Sequence, residues 1–366
     1  MSTRNSSPVR SRTHLGRKLR VLGAAAAFAC VATAAACSSS GSSSAPAGSA
    51  STGSSSSLTN ITLAFPFYGA GDVPFFLAQD KGYFKQEGLN VKFTTVTSSV
   101  ALQAATSGSI QLAYTTTIRP VKTLATGEKF YAFMPVNLGF TDDVIMSKSA
   151  YRAAGLSPKS TLKQMMTALI NKPLGIISAG GENQEVWDYL FHLAGLQQSD
   201  VHTVALGSPD ANLAALKRGS IVATNLGGTA PAQAVSDGYA TYLMRLSENQ
   251  IPSMNKVVSD VVVATTDYAQ QNPKVLTGFV AAYKKALADA YSAPQASAEQ
   301  VYKDYPSVFA SIAQSEFMDE YNLLISTKQL DQSLTMSPDQ LSTLGTFFES
   351  TGASIPDNWK DVFQKP

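Results

Sequence analysis

Phe76-Leu-Ala-Gln-Asp-Lys-Gly-Tyr-Phe-Lys-Gln-Glu-Gly-Leu-Asn-Val91 is the stretch from which the rest of the chain is read. Val73 to Lys81 reads as a short helix, and Gly82 closes it, because glycine enters the left-handed conformation without a Cβ penalty. Val91 to Val96 is β-branched and aromatic, the composition of a strand. Upstream, Ile61-Thr62-Leu63-Ala64-Phe65 alternates apolar and polar residues, as a strand does, and the turn from Pro66 to Asp72 joins it to the helix.

The same rhythm continues in both directions. Val100 to Ser107 reads as a helix closed by Gly108, Ile110 to Tyr114 as a strand, Arg119 to Thr126 as a helix with Pro120 in its first turn, and Phe130 to Val136 as a strand. Val144 to Ser147, Leu174 to Ile177, Val201 to Leu206, Ile221 to Thr224, Tyr239 to Leu243 and Asp260 to Thr265 supply further strands. Helices over Thr161 to Ile170, Glu182 to Ala194 and Asp210 to Arg218 alternate with them. Beyond about residue 272 the chain turns largely helical, most clearly over Pro273 to Tyr291, Phe317 to Thr327 and Pro338 to Ser350. Strands alternating with helices imply an α/β protein whose parallel-rich sheets are covered on both faces. One internal match sharpens this: Leu102-Gln-Ala-Ala-Thr-Ser-Gly-Ser-Ile110 resembles Leu213-Ala-Ala-Leu-Lys-Arg-Gly-Ser-Ile221. It suggests two similar lobes, with a generic helix–glycine–strand junction as the alternative.

The 366 residues exceed one ordinary core and predict roughly two domains. The net charge of +2 argues against a nucleic-acid partner. The charge is unevenly placed: Arg4, Arg10, Arg12, Arg17, Lys18 and Arg20 precede an apolar run from Val21 to Ala36. A basic segment before a short apolar one is the physical form of an export signal, over residues 1–36. Ala34-Ala35-Ala36-Cys37 resembles a bacterial lipobox, with Cys37 the lipidated residue and an ordinary cleaved signal the alternative. Residues 38–57 contain 12 Ser with Gly, Ala and Thr, too little apolar surface to fold. Residues 37–57 therefore read as a lipidated cysteine and a flexible tether with a reach of roughly 25 Å. Without the six leader cations the remaining chain has 22 basic against 26 acidic residues, a net −4.

Signatures of catalysis are missing. There is no P-loop, no nucleophile elbow and no HExxH, and Gly69-Ala70-Gly71 lacks the third glycine of a dinucleotide fingerprint. The body holds no Cys and only His192 and His202, which read as surface or core-edge residues, so no metal site and no cofactor are expected. Asp142-Asp143 reads as a solvated turn, since neighbours on an extended chain face opposite ways. Trp187 and Trp359 read as packing residues.

The opening stretch also resembles a recurring signature of bacterial solute-binding proteins that serve ABC importers of aliphatic sulfonates, nitrate, taurine and thiamine-pyrimidine precursors. Ala78, Gly82, Tyr83, Phe84, Glu87, Gly88, Leu89 and Val91 match it. Pro173-Leu-Gly-Ile-Ile-Ser178, Tyr189-Leu-x-x-x-Ala-Gly-Leu196 and Ala214-Ala-Leu-Lys-Arg-Gly219 match later family segments. Gln111 and Val222 depart from it, standing where the family usually has an acid. The loop Asn225-Leu-Gly-Gly-Thr-Ala-Pro231 also departs from it, replacing a common Glu-Pro. The resemblance implies a type II periplasmic-binding-protein fold, two α/β lobes joined by a hinge of two crossovers, with lobe I at 58–140 and 248–366 and lobe II at 141–247. It implies a monomer, not an enzyme, held at the outer face of the bacterial membrane by its lipid, with a small-molecule ligand and an ABC permease and ATPase as partners. One family branch makes a thiamine pyrimidine, but with a Cys- and His-containing segment this body lacks. A ligand sensor without import is the other alternative.

In parallel α/β sheets ligands bind beyond the carboxyl ends of the strands. That rule selects Phe67, Tyr68 and Asp72 after the first strand, Thr115, Thr116, Thr117 and Arg119 after the third, and Asn137 after the fourth. In lobe II it selects Ser178, Gly180, Gly181, Glu182 and Asn183, then Asn225, Gly228 and Thr229. Arg119 and the helix start behind the threonines suit an anion; Asp72 and Glu182 suit a cation or a neutral donor.

Overall fold

The computed structural model describes residues 57–366 apart from Ser311 and Ala353. The export signal, Cys37 and nearly all of the tether lie outside the described residues. Ten strands form two five-stranded sheets. They are β1 (Thr59–Phe65), β2 (Leu89–Thr95), β3 (Leu112–Thr116), β4 (Phe130–Leu138), β5 (Asp143–Ser147), β6 (Pro173–Ile176), β7 (His202–Ala205), β8 (Ala223–Leu226), β9 (Ala240–Arg245) and β10 (Val258–Thr265).

The sheets have one topology used twice. The first runs β2-β1-β3-β10-β4 and the second β7-β6-β8-β5-β9. In each, the first three strands pair in parallel. The fourth position is held by an antiparallel strand, β10 or β5. That strand is the first one laid down after the chain crosses from the other sheet. The crossings run from β4 to β5 and from β9 to β10. They lie side by side, the Gly139 N–H donating to the Val257 carbonyl at 2.7 Å, so the two lobes share a two-strand hinge.

The internal match falls at equivalent places, the helix before β3 and the helix before β8. Both following strands start two residues later than read from sequence. Ser109 and Ser220 each return an N–H to the carbonyl five residues earlier, at 2.8 and 2.9 Å. This is the Schellman closure, and the buried Ile110 and Ile221 follow it, before the strands begin.

The opening stretch docks the N-terminal helices onto the long helix Pro273–Ser292. Gly82 sits at φ +69°, ending the helix Val73–Asp80 and starting the turn Tyr83–Gln86. Phe84 is buried 5.0 Å from Phe279. The Tyr83 hydroxyl and the Lys81 ammonium both donate to Asp289, at 2.6 and 2.7 Å. Burying each aromatic side chain here contributes about 1.5–3 kcal/mol. In this structure the signature is therefore a packing device, docking lobe I helices on Pro273–Ser292.

The C-terminal region touches both lobes. Helix Pro338–Thr351 lies on helix Glu182–Leu193, with Phe347 4.9 Å from Tyr189 and 5.1 Å from Phe140. The turn Trp359–Phe363 packs on β4. Trp187 is fully buried, as read, and donates to the Gly175 carbonyl. Among the described residues no helix is long and apolar enough to cross a membrane.

Candidate functional site

Strand β10 carries the centre of the site. Asp260 is paired across the sheet with Thr116 of β3 on one side and Asn137 of β4 on the other, so all three point to one face. Tyr114, two residues before Thr116, shares that face. The Asn137 amide donates to the Asp260 carboxylate and to the Tyr114 hydroxyl, both at 2.9 Å. The Ser259 hydroxyl reaches the same carboxylate at 3.3 Å, and Tyr114 donates to it as well.

Three more carboxylates, Asp72, Asp142 and Glu182, feel the charge of Asp260, and a fourth, Glu320, acts on Asp72. Asp72, 5% exposed at the end of the turn after β1, accepts from the Gly69 N–H at 2.9 Å. Its pKa is pushed up to about 8, by burial first and then by Asp260 and Glu320, against the lowering effect of the Gly69 bond. Glu320 projects from helix Gln314–Ser326, and burial raises its pKa to about 7. Asp142 stands in the hinge, its pKa raised by burial and by the fields of Asp260 and Asp143. Glu182 opens the first helix after β6, and burial, Asp260 and Asp142 push it well up while Arg119 opposes them. One carboxylate, Asp260, thus acts on partners from both lobes and the hinge.

The lobe II candidates hold this face together. The Asn183 amide donates to Asp142 at 2.7 Å and to the Asn225 side-chain oxygen at 2.8 Å, and Asn225 returns a bond to the Asn183 carbonyl at 2.8 Å. Gly181 lets the backbone approach Ser178 and Arg119 closely. A Cβ on it would stand 2.7 Å from the Ser178 hydroxyl and 3.3 Å from the Arg119 guanidinium.

Arg119 and Lys122 form a latch across the lobes. Arg119 donates to Ser99 in lobe I and to Ser178 in lobe II, each at 3.0 Å. Lys122 donates to the Gly180 carbonyl at 3.0 Å and pairs with Glu185 at 2.6 Å. Both line an open groove of about 410 Å³ together with Ser99, Gln103 and Gly180. The helix that carries them, Ile118–Thr123, has six residues, so the expected anion site at its start reduces to side chains. Thr115, Thr116 and Thr117 have hydroxyls buried without a partner.

The outer candidates stand differently. Phe67 is 59% exposed. Tyr68 lies 5.2 Å from Phe65, with its hydroxyl pushed up to about 12 by burial and by Asp72. Gly228 is exposed and Thr229 precedes helix Ala230–Ser236. His192 and His202 are both exposed. Asp142 and Asp143 are not a solvated turn. Asp143 is buried, accepting from the Ser247 N–H and hydroxyl at 3.0 and 2.7 Å and pairing with Arg245 at 3.4 Å. Their alternation was read correctly, but it places the two carboxylates in two different protein environments. Sequence reasoning also passed over Tyr114, Asp260 and Glu320. Asp260 begins a β-branched run, and an acid inside such a run was the available signal.

Comparison with known proteins agrees with the fold. The family profile described as NMT1/THI5 like matches residues 71–297. No curated protein matches the sequence significantly. Among solved structures, a Candida albicans protein with the generic periplasmic binding protein fold is similar at TM-score 0.65 and 15% identity, over 84% of this chain and 97% of that one. The periplasmic aliphatic sulphonate binding protein SsuA from Escherichia coli is similar at TM-score 0.60 and 15% identity, over 84% and 92%. The ligand-binding component of an ABC-type import system from Staphylococcus aureus, solved with zinc, is similar at 0.62 and 15%, over 84% and 97%. With a repeated β-sheet topology, a two-strand hinge and a family match across most of both lobes, the chain belongs to the NMT1/THI5-like family and has the periplasmic-binding-protein fold.

Proposed function

We propose that this protein is the extracytoplasmic substrate-binding lipoprotein of an ABC importer, capturing a small organic nutrient between its lobes and delivering it to a permease and ATPase. Cys37 carries the lipid, residues 38–57 are the tether, and the body works as a monomer without turnover. Asp72, Thr116, Thr117, Asn137, Gly181, Glu182 and Asn183 face the ligand, with Tyr68, Thr115, Arg119, Ser178, Gly180 and Asn225 supporting them. Phe67, Gly228 and Thr229 stand at its rim.

The observation that carries this reading is the convergence of polar side chains from both lobes and the hinge on Asp260. A site divided between two lobes is completed only when they close, which is how a binding protein couples capture to a shape that a transporter can recognise. Small-angle scattering during a solute screen tests it. A ligand should shrink the particle and be recovered unchanged by mass spectrometry after denaturation. A chemically altered solute points to an enzyme and overturns the reading. Cys37→Ser should move the protein from the membrane fraction to the medium.

A further inference from the structure

We propose that the interlobe site takes a small organic cation bearing N–H donors, a primary ammonium, amidinium or guanidinium group. The inference rests on the solute-binding reading and specifies its substrate class.

The donor and acceptor inventory carries it. Asp72, Asp142, Glu182, Asp260 and Glu320 come from five segments: Asp72, Asp142 and Glu182 each lie within the field of Asp260, and a Glu320 oxygen stands 3.8 Å from where a Cβ on Gly69 would be, beside the Gly69 N–H that binds Asp72. The neighbouring cations are already engaged. Arg119 is bonded to Ser99 and Ser178, Lys122 to Glu185 and the Gly180 carbonyl, and Arg245 to Asp143 and Glu248. Arg119 acts on Glu182 through its field only; no ion pair joins them among the described residues. The acceptors, by contrast, are in surplus.

Two buried side chains show that surplus independently of the acids. Asn137 is 6% exposed, and while its amide nitrogen serves Asp260 and Tyr114, its carbonyl oxygen has no partner. Thr117 is 2% exposed and its hydroxyl is unpartnered. Glu320 also keeps one carboxylate oxygen unpartnered. The Asn137 amide carbonyl can only accept, so a ligand that satisfies it must donate. A sulfonate or nitrate donates nothing and would bring negative charge into a site already rich in acids.

A bare metal ion fits less well. Among the described residues no three Asp, Glu, His or Cys side chains are placed to hold one. Carboxylates spread this widely match an organic ion of several atoms, whose separate N–H groups reach separate acceptors.

The test is thermal unfolding of the purified full-length protein with methylguanidine, putrescine or agmatine, against ethanesulfonate and nitrate, at millimolar concentration. The inference expects the amines to raise the midpoint by about 2–4 °C or more and the anions to leave it unchanged. Asp260→Asn and, separately, Asp142→Asn should weaken amine binding at least about tenfold by calorimetry while the free proteins stay folded, since each removes an uncompensated charge and keeps the shape. Stabilisation by an anion and by no amine overturns the inference and leaves the solute-binding reading standing. Amine binding unaffected by both substitutions overturns the assigned site. No stabilisation by either class, together with no solute recovered from the denatured protein, overturns both.

Discussion

In each sheet the antiparallel strand, the one that arrives from the opposite lobe, carries an aspartate near its start. Asp143 on β5 lies beside Arg245 of β9 and accepts two bonds from Ser247. Asp260 on β10 occupies the corresponding position in lobe I, but its lateral neighbours are Thr116 and Asn137, and it gains an amide and hydroxyls rather than a cation. A buried carboxylate is stable when a charge partner and hydrogen bonds replace its lost hydration, and costly otherwise. Lobe II thus neutralises its aspartate internally, as structure. Lobe I leaves its aspartate among other carboxylates, where a ligand can supply what Arg245 supplies in lobe II. The duplicated topology makes the contrast informative, because the strand order is shared while the neighbouring side chains, and the local register beside Asp260, differ.

Breaking the neutralised half should have the largest effect. Arg245→Met strands the buried Asp143 carboxylate, which keeps only its Ser247 bonds, and should cost about 2 kcal/mol in urea unfolding. A cost below the error of the measurement would mean that the two aspartates are not distinguished by their partners. Glu185 lies between the two cases, since it is neutralised from the other lobe. Lys122→Met should cost about 1 kcal/mol, because Glu185 is 4% exposed and already has one oxygen without a partner. It should also enlarge the ligand-free particle in scattering, the latch being a contact between lobes.

A further expected effect is in pH. The site carboxylates hold protons more tightly folded than unfolded, Asp72 up to about 8 and Glu320 up to about 7, burial being the main cause. Between an ordinary unfolded carboxylate pKa of about 4 and those values the folded state binds more protons, so stability falls as pH rises. Melting of the free protein should therefore decline by a few degrees from about pH 5 to about pH 8. Asp260→Asn should flatten the decline, because Asp260 is among the charges that raise Asp72, Asp142 and Glu182. Asp143→Asn should lower the whole curve, since it removes the Arg245 ion pair.

Much of the fold was legible in the sequence for local reasons. Gly82, Gly108 and Gly219 take positive φ where a helix must stop, and their neighbours supply the periodicity of the next element. The third strand of each lobe was read two residues early because apolar Ile110 and Ile221 look like strand residues. Their place just after a Schellman closure depends on hydrogen bonds to the preceding turn. The candidate site was legible only in part. The rule of strand ends selected Asp72, Asn137 and Glu182, but Asp260 lies on an antiparallel strand, near its start, where that rule does not look.

The sequence by itself determined the family and the alternation of strands and helices, because these follow from periodicity, capping and a packing signature carried by neighbouring residues. The tertiary structure alone decided which charges remain uncompensated. Arg245 reaches Asp143 from a strand that follows it by about a hundred residues, and Asn137 reaches Asp260 across a similar separation. Whether a carboxylate is structural or open to a ligand depends on what lies a few ångströms away in space. Only the pairing of β5 with β9, and of β10 with β4, sets that distance.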